Sequence, residues 1–157
     1  MNNSSSQQNG EPVARTTEIT VLPFEVDDWD ESELNHFAIQ VAYRGSGLYG
    51  ILKDGKAYGK NGKWSHERIP SARTDAWRSI YRWDKDTAIE IALALAPTIL
   101  SNGLTAQDAY ALYKMDSAEE RKVFIEERLA YNREHFLPLR DNTVYEDEDD
   151  DDDDDED

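Results

Sequence analysis

The chain contains no cysteine. A disulfide scaffold, a thiolate zinc centre and a cysteine nucleophile are therefore excluded, and the usage fits a reducing cytosol. Long apolar runs are missing too. The most apolar stretch, Ala88–Leu100, holds Glu90 and Pro97 and falls short of the roughly 20 residues a membrane-spanning helix needs. Met1 is followed by asparagine and serine, with no basic or apolar leader region, so a secretory signal is not expected. These absences point to a soluble cytoplasmic protein with no membrane partner. Positive charge is scarce: 17 Lys and Arg face 34 Asp and Glu, for a net charge of −17. Nucleic-acid-binding domains are as a rule basic, so contact with DNA or RNA would require a local basic patch.

What is present is unevenly placed. Glu146–Asp157 is twelve acids in a row, which leaves the other 145 residues at −5, with 22 acids against 17 bases. Adjacent like charges repel and offer nothing to bury, so residues 141–157 are expected to be a disordered acidic tail. The polar start, MNNSSSQQNG, predicts a loose arm over residues 1–15. Residues 16–140 then make one domain, with four Trp, eight Tyr and four Phe in the chain for a core.

The first half reads as an antiparallel meander of four or five short strands. Thr17–Leu22 is β-branched at Thr17, Ile19 and Val21. Asp27–Glu33 is an acidic loop around Trp29. His36–Arg44 alternates, with Phe37, Ile39, Val41 and Tyr43 on one face. Leu48–Lys53 returns after a Gly45-Ser46-Gly47 turn. Asp54-Gly55 and Asn61-Gly62 signal hairpins on either side of Lys56–Lys60. Lys63–Ile69 follows, with Trp64, His66 and Arg68 on one face, and Trp77–Trp83 reads as a short helix or a final strand, with a strand over Ser79–Trp83 favoured. The second half reads as three helices packed on one face of the sheet. The first is Thr87–Leu95, capped by Asp86, apolar nearly all round and therefore central. The second is Thr105–Met115, with Thr105 and Asp108 placed as a capping box. The third is Ser117–Phe136, with Ser117 and Glu120 as another box, ended by Leu137-Pro138. Strands first and helices after predict an α+β fold.

No motif names a reaction. His36, His66 and His135 have no partner at a metal-ligand spacing, and on a strand His66 and Glu67 point to opposite faces. Gly59–Lys63 resembles a phosphate loop, but Lys63 is followed by Trp64 rather than Ser or Thr. Paired carboxylates such as Asp27/Asp28 and Glu126/Glu127 read as solvated surface. No catalytic residue, metal site or cofactor is expected.

Charge partition carries the functional reading. Residues 1–43 hold eight acids against one base, 44–85 ten bases against four acids, and 86–145 ten acids against six bases. The leading expectation is a non-enzymatic binding protein that engages a basic partner through Asp27, Asp28 and Asp30 and through tail residues Glu146, Asp147, Glu148, Asp149 and Asp150. Such a contact weakens with salt. The alternative uses the basic, aromatic meander to bind nucleic acid: Arg44, Lys53, Lys56, Lys63, Arg68, Arg73, Arg78 and Arg82 for phosphates, and Trp64 as a stacking platform. There the tail competes intramolecularly. A third role for the tail is solubility alone.

Residues Leu48–Ala94 run through Lys53-Asp54-Gly55, Gly62-Lys63-Trp64, Ile69-Pro70-Ser71-Ala72-Arg73, an aromatic stretch ending at Trp83, and Asp86-Thr87-Ala88-Ile89-Glu90-Ile91. This order is similar to that of small accessory proteins of tailed bacteriophages, a group largely without assigned activity. The resemblance implies a phage protein that acts in the host cytoplasm by binding and redirecting a host protein. Counter-defence inhibitors that imitate the charge of DNA belong to that kind.

Overall fold

The structure, a computed structural model, describes residues 10–145, with side chains as far as Phe136. The expectations for the acidic run, including Glu146, Asp147, Glu148, Asp149 and Asp150, and for most of the N-terminal arm lie outside the described residues.

Five strands form one antiparallel sheet in sequential order: β1 (Glu18–Val21), β2 (Ile39–Tyr43), β3 (Tyr49–Lys53), β4 (Lys56–Tyr58) and β5 (Trp64–His66). Val41 lies opposite Ile51, Leu52 opposite Ala57 and Tyr58 opposite Trp64. Side chains alternate along a strand. One face therefore carries Ile39, Val41, Tyr49, Ile51, Tyr58 and Trp64, and the other Gln40, Ala42, Leu52, Ala57 and Ser65. Asp54 and Gly55 turn β3 into β4 with φ of 50° and 80°, the paired positive values that match the twist of a hairpin.

Among the described residues, five α-helices accompany the sheet: α1 (Glu31–Asn35), α2 (Asp75–Tyr81), α3 (Lys85–Leu95), α4 (Ala106–Tyr113) and α5 (Ala118–Tyr145). The α+β class expected from the sequence is the class observed. Helix α3 is the central cover, packed on β1, β2 and β3. Ala88, Ala92 and Ala96 are fully buried against Ile39, Val41 and Ile51. Their four-residue spacing makes a small-residue stripe that lets the helix sit close to the sheet. Ile89, Ile91 and Leu95 flank the stripe, while Leu93 is more than half exposed. The helix is thus one-sided rather than buried all round.

The second face of the sheet is covered by α2, where the sequence reading placed a strand. Thr74 caps this helix by accepting from the Trp77 amide at 3.0 Å. Trp77 and Tyr81, four residues apart, then stack on each other and bury against Ala57 and Leu52. Only Trp83 keeps a strand-like role, exchanging both backbone hydrogen bonds with Tyr49. That bridge fixes the chain just before α3, so Asp84 rather than Asp86 becomes the cap, accepting from the Thr87 amide at 3.2 Å.

Three further boundaries differ. The acidic loop is partly helical, because Asp30 accepts from the Ser32 amide at 3.0 Å and starts α1. Strand β5 stops at His66, and Glu67 and Arg68 leave it for the polar cluster below the sheet. Helix α5 runs through Leu137-Pro138 to Tyr145. A proline deletes one backbone donor, and the turns on either side keep their own bonds.

Candidate functional site

Two charged constellations stand out. The first is acidic and aromatic. Residues 25–33 hold six carboxylates and no base. They are anchored to α4 by residues that the helix puts on one side at i, i+3 and i+4: Tyr110, Tyr113 and Lys114. Asp28 accepts from the Tyr110 hydroxyl at 2.6 Å and also pairs with the Lys114 ammonium. Trp29 packs centroid to centroid against Tyr110 at 5.4 Å, Phe24 at 6.3 Å and Tyr113 at 6.3 Å. The result is a half-buried indole with an exposed tyrosine beside it, bordered by exposed Asp27, Asp30, Glu31 and Glu33. Farther along the chain, Glu119, Glu120, Val123, Phe124 and Glu127 of α5 line an open groove of about 350 Å³.

The loop contact has a pH signature. Hydrogen bonding from Lys114, then from Tyr110, holds the Asp28 carboxyl below its ordinary value of 3.8. A lowered folded value stabilises above the unfolded one, and that stabilisation is lost as pH falls through the folded value. Docking is therefore expected to persist at neutral pH and to fail below 3.8. At the alkaline end, the Asp28 bond raises both Lys114 and Tyr110, so no loss is expected until pH rises through those raised values. The Trp29 indole resonance should move in acid in the wild type and stay put in Asp28→Asn. Equal movement in both would assign the acid transition to another group.

The second constellation is the fate of the basic meander. Glu67, half-buried, gathers three guanidiniums. Its Oε2 accepts from Arg44 Nε at 3.1 Å, Arg73 Nη2 at 3.1 Å and Arg82 Nη2 at 2.7 Å, and its Oε1 accepts from Arg82 Nη1 at 3.1 Å. Arg82 is only 3 % exposed and lies over the Trp77 ring at 4.7 Å. Arg68 lies over the same ring at 5.8 Å, and Arg78 pairs with Asp75 at the surface. Burial is the main cause that lowers Arg73 from its ordinary value, with Glu67 opposing it and Arg82, Arg44 and Arg78 adding repulsion.

Lys53 is turned inward as well. Its ammonium donates to the carbonyls of His36 at 2.8 Å and Ala38 at 3.1 Å, and burial lowers its pKa against the pull of Asp54. Lys56 and Lys63 are half-buried beside β4 and β5. Trp64 packs edge-on to Tyr58 at 5.2 Å within the main core.

The nucleic-acid candidates thus split. Arg44, Arg73 and Arg82 converge on one carboxylate, while Lys53 and Trp64 serve the fold on the opposite face. Among the acidic candidates, Asp28 anchors the loop, Asp30 caps α1 and Asp27 faces solvent. Sequence reasoning missed Glu67, Tyr110, Tyr113 and Lys114. The only local signal was the i, i+3, i+4 spacing of the last three. Among the described residues, no group of three or more His, Asp or Glu side chains could hold a metal ion, and no helix is long and apolar enough to cross a membrane. A scan against family models, a search of curated proteins and a search of solved structures each return no match.

Proposed function

We propose that the chain is a non-enzymatic binding protein, encoded by a phage or other mobile element and acting in the host cytoplasm. It engages a basic protein partner through its acidic surface and its C-terminal acids. One observation carries this reading. Arg44, Arg73 and Arg82 turn toward Glu67, and Arg68 and Arg82 lie over Trp77, whereas Glu25, Asp27, Glu31 and Glu33 are exposed around Trp29 and Tyr113. A half-buried aromatic centre with a charged rim is the usual build of a protein-binding patch. The sign of the rim selects lysine- or arginine-rich partners and steers them electrostatically. The competing nucleic-acid reading needs open aromatic faces, and Trp64, Trp77 and Trp83 are packed against other rings.

The test uses fluorescence anisotropy with a labelled arginine-rich peptide and a labelled single-stranded oligonucleotide, at low and high salt. The full chain should bind the peptide and ignore the oligonucleotide. Removing Glu146–Asp157, or combining Asp27→Asn, Glu31→Gln and Glu33→Gln, should each weaken peptide binding by about tenfold, the worth of roughly 1.4 kcal/mol. High salt should weaken it further. Oligonucleotide binding that strengthens on tail deletion would replace this reading with the nucleic-acid one. Peptide binding that survives both charge removals would overturn it.

A further inference from the structure

Three guanidiniums sharing one carboxylate leave the cluster at +2, in a protein whose residues outside the terminal acidic run sum to −5. Neighbouring Arg68 and Arg78 add two more cations, and Asp75 removes one. The excess is not evenly accessible. Arg82 is enclosed, with a side chain 2 % exposed, while Arg73 at 15 % and Arg44 at 31 % reach the surface. Arg44 and Arg73 each put one nitrogen 3.1 Å from the same oxygen of Glu67, so their heads meet at that oxygen. Their remaining bonds go to backbone carbonyls, Arg44 Nη1 to Tyr43 and Arg73 Nε to Arg68. Among the described residues, nothing accepts from Arg44 Nη2 or Arg73 Nη1. Guanidinium donors are fixed in a fork that matches oxyanions with several acceptors.

We propose that this cluster is a binding site for a single phosphate-type dianion, inorganic phosphate or a phosphomonoester, held between Arg44 and Arg73. The site is independent of the acidic patch and lies on the other charged constellation of the molecule. Beside the +1 that Arg68, Arg78 and Asp75 add together, a dianion offsets the +2 that Glu67 leaves on its three arginines. A carboxylate offsets half of it and has one acceptor oxygen fewer. A nucleic-acid strand needs a track of cations with open rings, and this locus is one point beside the packed Trp77 and Tyr81.

The experiment titrates the full-length protein with inorganic phosphate at constant ionic strength, with acetate as the control. Intrinsic tryptophan fluorescence, to which Trp77 beside Arg82 and Arg68 contributes, supplies the signal. Saturable binding is expected for phosphate, at least tenfold tighter than for acetate. Arg44→Gln should weaken it at least tenfold while the protein stays folded, because Arg44 is at the surface. Arg44→Lys, which keeps charge but loses the fork, should recover only part. Glycerol phosphate separates the two sources: tighter binding than phosphate assigns a phosphomonoester, weaker binding assigns the free ion, and both uphold the site. No saturable phosphate signal, equal affinity for acetate, or full affinity in Arg44→Gln would overturn it. So would an oligonucleotide that binds through Arg44 more tightly than phosphate does.

Discussion

Glu67→Ala is expected to remove about 3–5 kcal/mol of stability, the range for breaking a buried ion pair from one side. Whole domains have only about 5–15 kcal/mol in hand, so this single carboxylate decides whether the sheet keeps its second layer. The reason is asymmetry. Arg82 has a nearly enclosed guanidinium and takes both oxygens of Glu67. Without the carboxylate, Arg82 is left buried and charged, with the half-buried Arg73 repelling it. Arg82→Met should cost much less, because Glu67 keeps two guanidiniums and the methionine can fill the stem's place beside Trp77. The double variant should be more stable than Glu67→Ala alone, which is the sign of a direct coupling. Urea unfolding in phosphate-free buffer reads all three. A Glu67→Ala loss under about 1 kcal/mol, the range of exposed pairs, would mean that the cluster is solvated and that α2 is held by Trp77 and Tyr81 alone.

The cluster also shows where sequence reading stops. The strands β2 and β3 were legible because Ile39, Val41, Tyr49 and Ile51 alternate with small or polar residues, and Asp54-Gly55 accepts one turn geometry. The Thr105–Asp108 box was legible because it is local. The aromatic stretch before Trp83 was ambiguous: Trp77 and Tyr81 fit a helical face, and Tyr81 and Trp83 fit a strand. The tie is broken by the Thr74 cap and by Ala57, a position 0 % exposed that only the fold brings under Trp77. The sequence reading puts the cap at Asp86, and Asp84 takes that place because the bridge from Trp83 to Tyr49 fixes where the helix begins. Charge summed along the chain found a basic meander, but it could not say which way the side chains turn. Arg44 and Arg82 meet Glu67 across 23 and 15 residues, and Asp28 meets Tyr110 across 82. Convergence at such separations comes from sheet register and helix docking, and no local spacing encodes it.

Asp108→Ala is expected to cost about 3 kcal/mol and to open the α4–α5 hairpin before the sheet. Asp108 is 5 % exposed and both its oxygens are committed. Oδ2 accepts from the Thr105 amide at 3.2 Å and from Asn132 Nδ2 at 2.9 Å, and Oδ1 accepts from Arg128 Nε at 2.8 Å. Losing half of a capping box accounts for about 1 kcal/mol. The rest comes from buried partners left short. Asn132 is 1 % exposed, and among the described residues its Oδ1 already has no partner. Its amide would then keep only the Gly103 carbonyl, at 2.8 Å.

Asp108→Asn should not rescue the hairpin, since its amide turns one of the two accepting oxygens into a donor and leaves either Arg128 or Asn132 and the Thr105 amide without that acceptor. The consequence reaches the acidic patch, because Tyr110, Tyr113 and Lys114 stand on the helix that Asp108 caps. Amide hydrogen exchange separates the outcomes. Faster exchange confined to α4 and the facing turns of α5, with Trp29 losing its packing and β2–β3 still protected, makes the hairpin a unit that positions the loop. Equal acceleration in β2 and β3 would make Asp108 a support of the whole domain, and the loop would then be held by the sheet rather than by α4.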